Sequence, residues 1–297
     1  MSLWGEITSG EVLKAAIVKD VMYKESATLS IGTKIFAPKP WPNLDAKWAF
    51  PLEVDGEFPV PEGAVARRAR VEWVEWGAVM EMAEFRFMLT DFAVARQLAQ
   101  HTYNVMVQRG AEYFADKQDE QILDGIYGGA GATTVTVGAG NEWDDNAVSA
   151  DIEGDIMDAW GYLIDESNIR IEDMRNVCLI YPAKIDGRLR GLSLINNIHQ
   201  SLMDYVGKSF GFTFYPTRYY HESSSVGIQD DAVLMVQGDR TGLHGVYSGG
   251  AIPLAETERV FGRGMDYLTK KLFFTKIEPD TQSDPTSDRI CKIANVI

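Results

Sequence analysis

The chain has 297 residues, 45% of them apolar, and its 43 acidic and 28 basic residues give a net charge of −15. A protein that gathers nucleic acid by electrostatics should carry a basic patch or tail. The first 25 residues instead mix lysines with acidic residues, which argues against a DNA-binding protein or an RNA-collecting arm. Solubility explains the acidity equally well. No stretch approaches the roughly 20 apolar residues that span a bilayer, so we expect no membrane association.

Residues 1–40 are predicted to form an N-terminal arm. A short amphipathic helix is expected around residues 9–24, and a strand over residues 27–36 that ends at Pro38 and Pro40. The N-terminus lacks the basic and apolar regions of a secretory signal. Cys178 and Cys291 lie in apolar segments and are predicted to be buried thiols, because two cysteines make no disulfide framework in a chain this long. Both features indicate a reducing cytoplasm.

Residues 41–90 are predicted to form a long two-stranded ribbon. A turn-rich stretch at residues 54–57 and another at residues 61–63 precede a run with strand chemistry, residues 65–89. Strict alternation of apolar and polar side chains indicates a half-buried strand. After Gly77 the residues predicted to share the apolar face are Val79, Ala83, Phe85, Phe87 and Leu89, with Glu84 and Arg86 on the other face.

The ribbon also carries the residues that we predict to contact other subunits. A core strand cannot bury three guanidinium groups without partners, and two large aromatic side chains on opposite faces of a ribbon need a second surface. On an exposed ribbon, arginines could pair with acids of a neighbouring subunit. The alternative is a solvated edge that charge protects from aggregation. The predicted contact residues are Glu62, Arg67, Arg68, Arg70, Trp73 and Trp76.

A long helix is predicted over residues 91–125, capped by Thr90 and Asp91. It would be roughly 50 Å long, whereas a compact domain of this size has a radius of gyration of about 19 Å. A rod beside a thin ribbon fits such a domain poorly, which indicates assembly with other subunits. The apolar stripe of this helix is predicted to be Phe92, Ala95, Ala99, Tyr103, Met106, Gly110 and Tyr113, widened by Val94, Leu98 and Val105.

The rest of the chain reads as a loop with one strand at residues 133–137, followed by helices and strands in alternation. An amphipathic helix is expected over residues 151–166, with Ile152, Ile156, Ala159, Trp160 and Leu163 on its apolar face. Short apolar runs are typical of buried strands. The predicted strands are residues 176–181, 211–218, 232–237, 245–247 and 268–277.

Signals of catalysis are weak. Residues 206–209, Val-Gly-Lys-Ser, resemble the end of a phosphate-binding loop, but Leu202 stands where that loop needs glycine. The four histidines, His101, His199, His221 and His244, are dispersed, and the cysteines lack metal-ligand spacing. His101 is predicted to be a packing or interface residue. The acidic pairs at residues 144–145 and 230–231 are expected in turns or caps. We expect no catalytic, cofactor-binding or metal site, and a soluble enzyme is a remote alternative.

The order of ribbon, long helix and mixed region resembles the major capsid proteins of the Hong Kong 97 phage type, a superfamily of tailed-phage capsids, archaeal virus-like particles and encapsulin shells. The resemblance runs from about residue 40 to residue 297. The segments that carry it are Val-Pro-Glu-Gly at 60–63, the strand at 78–89, Gln-Ile-Leu-Asp-Gly at 121–125, Asn-Val-Cys-Leu-Ile-Tyr-Pro at 176–182 followed by Arg188 and Arg190, Val-Leu-Met-Val-Gln-Gly at 233–238, and residues 261–278.

The resemblance implies an α+β fold with named parts. These are an N-terminal arm (1–40), an E-loop ribbon (41–90), a peripheral domain (91–150 and 255–297) containing a spine helix (91–125), and a central A-domain (151–254). It also implies a major capsid protein that forms an icosahedral particle of pentamers, with or without hexamers, assembled in the host cytoplasm. The alternative is an encapsulin shell around a cargo protein. Either shell would hold DNA or cargo without strong electrostatic binding.

Overall fold

The computed structural model describes residues 15–55, 70–91, 99–131, 133–144, 151–166, 175–195, 198–218, 230–238, 241–260, 263–279 and 286–297. The helices are α1 (Ala15–Leu29), α2 (Gly32–Ile35), α3 (Ala99–Gly128), α4 (Ile152–Glu166), α5 (Asp186–Leu189) and α6 (Leu202–Phe210). The first strands are β1 (Lys39–Trp41), β2 (Asp45–Asp55), β3 (Arg70–Val79), β4 (Glu81–Thr90), β5 (Thr134–Thr136), β6 (Val177–Pro182) and β7 (Leu192–Ile195). The remaining strands are β8 (Ile198–Ser201), β9 (Thr213–Thr217), β10 (Ala232–Val236), β11 (Gly242–Tyr247), β12 (Ala255–Val260), β13 (Gly264–Ile277) and β14 (Ile290–Ala294).

The chain folds into two compact units. The first unit comprises residues 1–44, 80–122 and 244–274, and the second comprises residues 45–79, 123–243 and 275–297. Within the described residues the strands form two five-stranded sheets, a ribbon of β2 and β3, and a pair of β7 and β8. No helix of this part of the chain is long and apolar enough to cross a membrane.

The first sheet is built around β13. Its order is β1-β11-β13-β12, and β4 also pairs with β13. β4 and β13 are antiparallel, with Phe87 opposite Tyr267, and the two rings stack with centroids 5.0 Å apart. One face of this sheet packs on α1 and α3 in a core that contains Val18, Met22 and Phe114. The alternating pattern of β4 explains this arrangement, because it turns Ala83 and Phe87 inward and leaves Glu84 and Arg86 exposed.

Close packing of α1 on α3 depends on glycine and on one carboxylate. A Cβ at Gly110 would lie 2.7 Å from Met22 Cε and 2.8 Å from Phe85 Cδ1, so only hydrogen fits there. Asp119 of α3 accepts hydrogen bonds from the residues that follow α1. The donors are Ser30 Oγ at 2.5 Å, Ile31 N at 3.1 Å and Gly32 N at 2.8 Å. Burial nevertheless raises the pKa of Asp119, since desolvation outweighs these bonds. The described part of the arm is therefore fastened to α3.

The second sheet has the order β5-β14-β10-β6-β9. Its inner strands β6 and β10 are buried at every position, as expected for continuous apolar runs. α4 packs on the sheet through Ile156, Ala159 and Leu163, and Trp143 lies fully buried in the same core. The indole N–H of Trp143 donates to Asp155 at 2.8 Å. Pro216 lies on the edge strand β9, where the missing donor does not interrupt a ladder.

Several sequence predictions are confirmed. α4 buries the predicted face, and β5, β6, β9 and β10 lie within about two residues of the predicted strands, whereas β13 begins four residues before the predicted strand and ends with it. Both cysteines are free and buried. The long helix is present, and its described part continues to Gly128 rather than ending at residue 125. Tyr103 and Gly110 of its predicted stripe are buried.

Other predictions are wrong. Residues 27–36 form the end of α1 and then α2 instead of a strand, because tertiary packing overrides local strand propensity. The two-stranded ribbon ends at Val79, and residues 81–90 join the first sheet. Val79 does not share the buried face of β4 and is 72% exposed, and Val105 is 39% exposed.

The domain boundaries stay a prediction, and the strands of one predicted domain are divided between the two sheets. β5 and β14, assigned to the peripheral domain, pair in the second sheet, while β11, assigned to the A-domain, pairs in the first. The reason is physical: periodicity reveals that a segment is a strand, but long-range pairing decides which sheet it joins.

Candidate assembly surface

The ribbon of β2 and β3 is a separate two-stranded sheet. β2 and β3 pair antiparallel from Asp45–Val79 to Asp55–Arg70, and the register shifts between Pro51 and Val54. A two-stranded hairpin is at best marginally stable in water by itself. Its stability must come from side chains that pack on its faces or from a second surface.

An aromatic pair supports the described end of the ribbon. Trp48 lies directly opposite Trp76, and both side chains are half-buried. Lys276 Nζ lies 4.9 Å from the centroid of the Trp76 ring, a cation–π contact of about 0.5–1 kcal/mol at a partly exposed site. An open groove of about 450 Å³ lies against Lys47, Trp48, Ala49, Glu75, Trp76 and Gly77. This end of the ribbon therefore offers an apolar surface with Lys47, Lys276 and Glu75 beside it.

The predicted contact residues are only partly placed by the structure. Glu62, Arg67 and Arg68 lie outside the described residues. The backbone of Arg70 pairs with Asp55 and that of Trp73 with Pro51. Trp76 is the member of the set whose side chain is described, and Trp48 and Lys276 are the partners that sequence reasoning missed. Trp48 can be identified as a partner of Trp76 only from the register of β2 on β3. Lys276 lies 200 residues after Trp76 in the sequence.

The outer face of β4 adds a second exposed apolar surface. Met82 is 53% exposed and Met88 is 37% exposed, and they alternate with Glu84 and Arg86. Arg86 pairs with the buried Asp266 of β13, and this pairing raises the pKa of Arg86 through a hydrogen bond and Coulomb attraction. Isolated exposed apolar residues are normal on monomers, so these two methionines identify no partner by themselves.

The described residues offer little for catalysis. Burial raises the pKa of the Cys291 thiol to about 11, and it raises that of Cys178 still further, so neither forms a ready thiolate. Among them, no group of three or more His, Cys, Asp and Glu side chains could hold a metal ion. The Val-Gly-Lys-Ser stretch lies inside α6 and is no phosphate loop.

Individual histidines and acids that the sequence singled out have structural surroundings. His101 is exposed on α3, and His244 is buried. Asp231 accepts hydrogen bonds from the Tyr127 hydroxyl at 2.6 Å and from the backbone N–H of Asn295 at 2.8 Å. Asp144 accepts from Lys184 Nζ at 2.5 Å. His221 and the side chain of His199 lie outside the described part.

Neither a protein-family model nor a curated protein matches the sequence. Solved structures do match. A virus-like particle protein from Pyrococcus furiosus is similar with a TM-score of 0.60 and 10% identity, over 95% of this chain and 100% of that one. Microbacterium phage Oxtober96 gives 0.57 and 13%, over 89% and 90%. The capsid of Ralstonia phage GP4 gives 0.56 and 10%, over 99% and 96%.

The chain has the fold of these virus-like particle and phage proteins. The α+β class predicted from the sequence is thereby confirmed. At 10–13% identity the likeness concerns the fold, and it transfers no individual contact residue.

Proposed function

We propose that the protein is a structural, non-enzymatic shell subunit, a major capsid protein that assembles with copies of itself into a closed icosahedral particle. The observation that carries this proposal is similarity to shell proteins over nearly the whole of both chains. One of these likenesses in fold covers 99% of this chain. The place of the protein would be the virion or capsid, assembled in the host cytoplasm.

Within this proposal the elements take the roles that the fold suggests. The ribbon of β2 and β3 corresponds to the E-loop and α3 to the spine helix. The first sheet corresponds to the peripheral domain and the second sheet to the A-domain. These assignments replace the boundaries expected from the sequence, because they follow sheet membership rather than position along the chain.

We also propose that the ribbon supplies inter-subunit contacts. Its half-buried pair, Trp48 and Trp76, is the kind of aromatic surface that dominates binding energy at interfaces. Arg70 and Trp73 of β3 remain proposed contacts, as do Glu62, Arg67 and Arg68, which lie outside the described residues. Arginine and glutamate there would form directional pairs with a neighbour.

The assembly proposal is tested by measuring the mass of the purified protein. Size-exclusion chromatography with light scattering should find a megadalton species, and negative-stain images should show closed particles. A folded monomer at every concentration would refute the proposal. Images of sufficient quality would also show whether pentamers occur with or without hexamers.

The contents of the particles separate the viral shell from a cargo-enclosing compartment. Because the subunit carries a net charge of −15, particles expressed alone should hold little nucleic acid by electrostatics. The ratio of absorbance at 260 and 280 nm after nuclease treatment measures this. Abundant RNA that salt releases would show that the charge argument is wrong, while a co-purifying protein of fixed stoichiometry would favour the compartment.

A further inference from the structure

A chain of buried polar side chains joins four elements of the first unit. Lys271 of β13 donates to Ser26 Oγ of α1 at 2.8 Å and to Gln118 Oε1 of α3 at 2.5 Å. Gln118 Nε2 lies 3.0 Å from His244 Nε2 of β11. All four side chains belong to residues that are at most 3% exposed. Buried polar groups in such a network depend on one another for satisfaction.

The direction of every hydrogen bond in this network is determined. The Ser26 hydroxyl donates to the carbonyl of Tyr23 at 2.9 Å, so its lone pairs are available to Lys271. An ammonium group can only donate, so Gln118 must face it with Oε1 and must face His244 with its N–H₂ group. His244 therefore accepts through an unprotonated Nε2, and its other nitrogen donates to the carbonyl of Phe274. The network requires a neutral His244.

A proton on His244 would break this order. The imidazolium would have no acceptor at Nε2, because Gln118 presents a donor there. If Gln118 turned its amide round to accept from His244, its N–H₂ group would face the Lys271 ammonium. One donor must then remain unsatisfied, and an unsatisfied buried donor is costly. Burial and the nearby Lys271 accordingly lower the pKa of His244 to about 4.

Lys271 also adds polar contacts between α1 and the sheet. It binds Ser26 and lies 5.0 Å from the centroid of the Tyr23 ring, and the Tyr23 hydroxyl donates to the backbone carbonyl of Lys270. Among the described residues, the titratable groups that face the network are Lys271 from β13 and Tyr23 from α1. β4 presents apolar residues on this face, and Asp119 of α3 is engaged with the turn at residues 30–32.

We propose that the Lys271–Gln118–His244 chain is a proton-operated latch for α1: protonation of His244 reverses Gln118, withdraws its oxygen from Lys271 and loosens α1 from β13. With α1 displaced, water can solvate the ammonium, and Gln118 is then free to accept from the imidazolium. The open state consequently tolerates the proton that the closed state excludes. This device lies within one unit, and it operates whether or not the assembly proposal holds.

The latch predicts a defined pH dependence. The closed state has a depressed histidine pKa, so its advantage over the open state is complete above the ordinary value of 6.5 and is lost as pH falls toward about 4. One proton linked to opening lowers the protection of α1 amides by up to about tenfold per pH unit in this window.

Hydrogen exchange of the intact protein, followed by mass spectrometry and corrected for intrinsic rates, measures this protection. In the wild type, peptides from α1 should lose protection between pH 6.5 and 4, while peptides from β6 and β10 keep theirs. His244→Gln places a permanent acceptor near Nε2 and should remove the pH dependence. In Gln118→Glu the carboxylate accepts from Lys271 and also from Nε2 of a protonated His244, so the closed state no longer excludes the proton and the loss of protection in this range should disappear. His101→Gln, on the exposed face of α3, is the matched control and should behave like the wild type.

The results overturn the latch if wild-type α1 is equally protected across this range, or if α1 and β6 lose protection together. They also overturn it if His244→Gln follows the wild-type profile. Should His244→Gln fail to fold, Gln118→Glu decides alone, because it adds a carboxylate beside a lysine and leaves the histidine in place. A wild-type profile in that folded variant would reject the proposal.

Discussion

The carboxylate of Asp119 accepts a 2.8 Å hydrogen bond from the backbone N–H of Gly32, a residue 87 positions earlier in the chain. A Cβ at Gly32 would lie 2.8 Å from Ile122 Cδ1, so the turn can approach α3 only because this residue is glycine. Together these contacts bind the described part of the N-terminal arm to its own subunit. Four predictions test this and other features.

Asp119→Ala should destabilise the protein by about 2 kcal/mol or more, because Ser30, Ile31 and Gly32 lose a charged acceptor. The control is Asp116→Ala, an exposed position on the same helix, which should change stability by less than about 0.5 kcal/mol. Chemical denaturation followed by circular dichroism compares them. Equal effects of the two substitutions would mean that the turn is held by its apolar contacts.

Gly110→Ala should cost about 1–3 kcal/mol, because the added methyl group overlaps Met22 and Phe85 in the core. Gly161→Ala is the matched control: this helical glycine has no neighbour within 4 Å of a built Cβ, and alanine should stabilise the helix by up to about 1 kcal/mol. Thermal unfolding should therefore shift in opposite directions. A stabilised Gly110→Ala variant would show that α1 moves away from α3 at little cost.

Trp76→Ala should reduce particle yield while the subunit stays folded, since a buried interface tryptophan is commonly worth about 2 kcal/mol or more and each subunit repeats the contact. Lys276→Ala removes only the cation–π partner and should have a much smaller effect. Light scattering and circular dichroism measure assembly and folding. Insoluble protein would place Trp76 in the subunit's own core, and normal particles would remove it from the interface.

Lys271 should make a contribution to stability that rises with pH in the alkaline range, opposite in sign to that of the buried Cys178 and Cys291 thiols, whose pKa values are raised. Burial lowers the pKa of Lys271 to about 8 from an ordinary value of 10.5. Between these pH values the unfolded chain binds more protons than the folded chain. The free energy of unfolding contributed by Lys271 therefore increases as pH rises through this range. Lys271→Met should flatten this rise, whereas Lys117→Met, at an exposed position, should keep it. Calorimetry across this range gives the comparison, and an unchanged slope in Lys271→Met would contradict the assignment.

The local pattern of apolar and polar residues was sufficient to predict the elements whose buried face follows from their own sequence. The alternation of Ala83, Phe85, Phe87 and Leu89 identified β4 as half-buried, and the apolar runs of β6 and β10 identified them as interior strands. The face of α4 followed from its helical period. In each case the buried positions recur with the period of one strand or one helix. Neighbouring residues in the sequence therefore predict which face is buried.

Tertiary structure decided everything that depends on which segments meet. Residues 27–36 form the end of α1 and then α2 despite their strand propensity because they pack against α3, where Asp119 binds the turn at residues 30–32. β4 belongs to the first sheet rather than to the ribbon because it pairs with β13 along its whole length. Trp48 faces Trp76 only in the observed register. Gln118 contacts Lys271, which lies 153 positions away in the sequence, and His244, which lies 126 positions away. Such contacts depend on chain folding over long separations, and no local period encodes them.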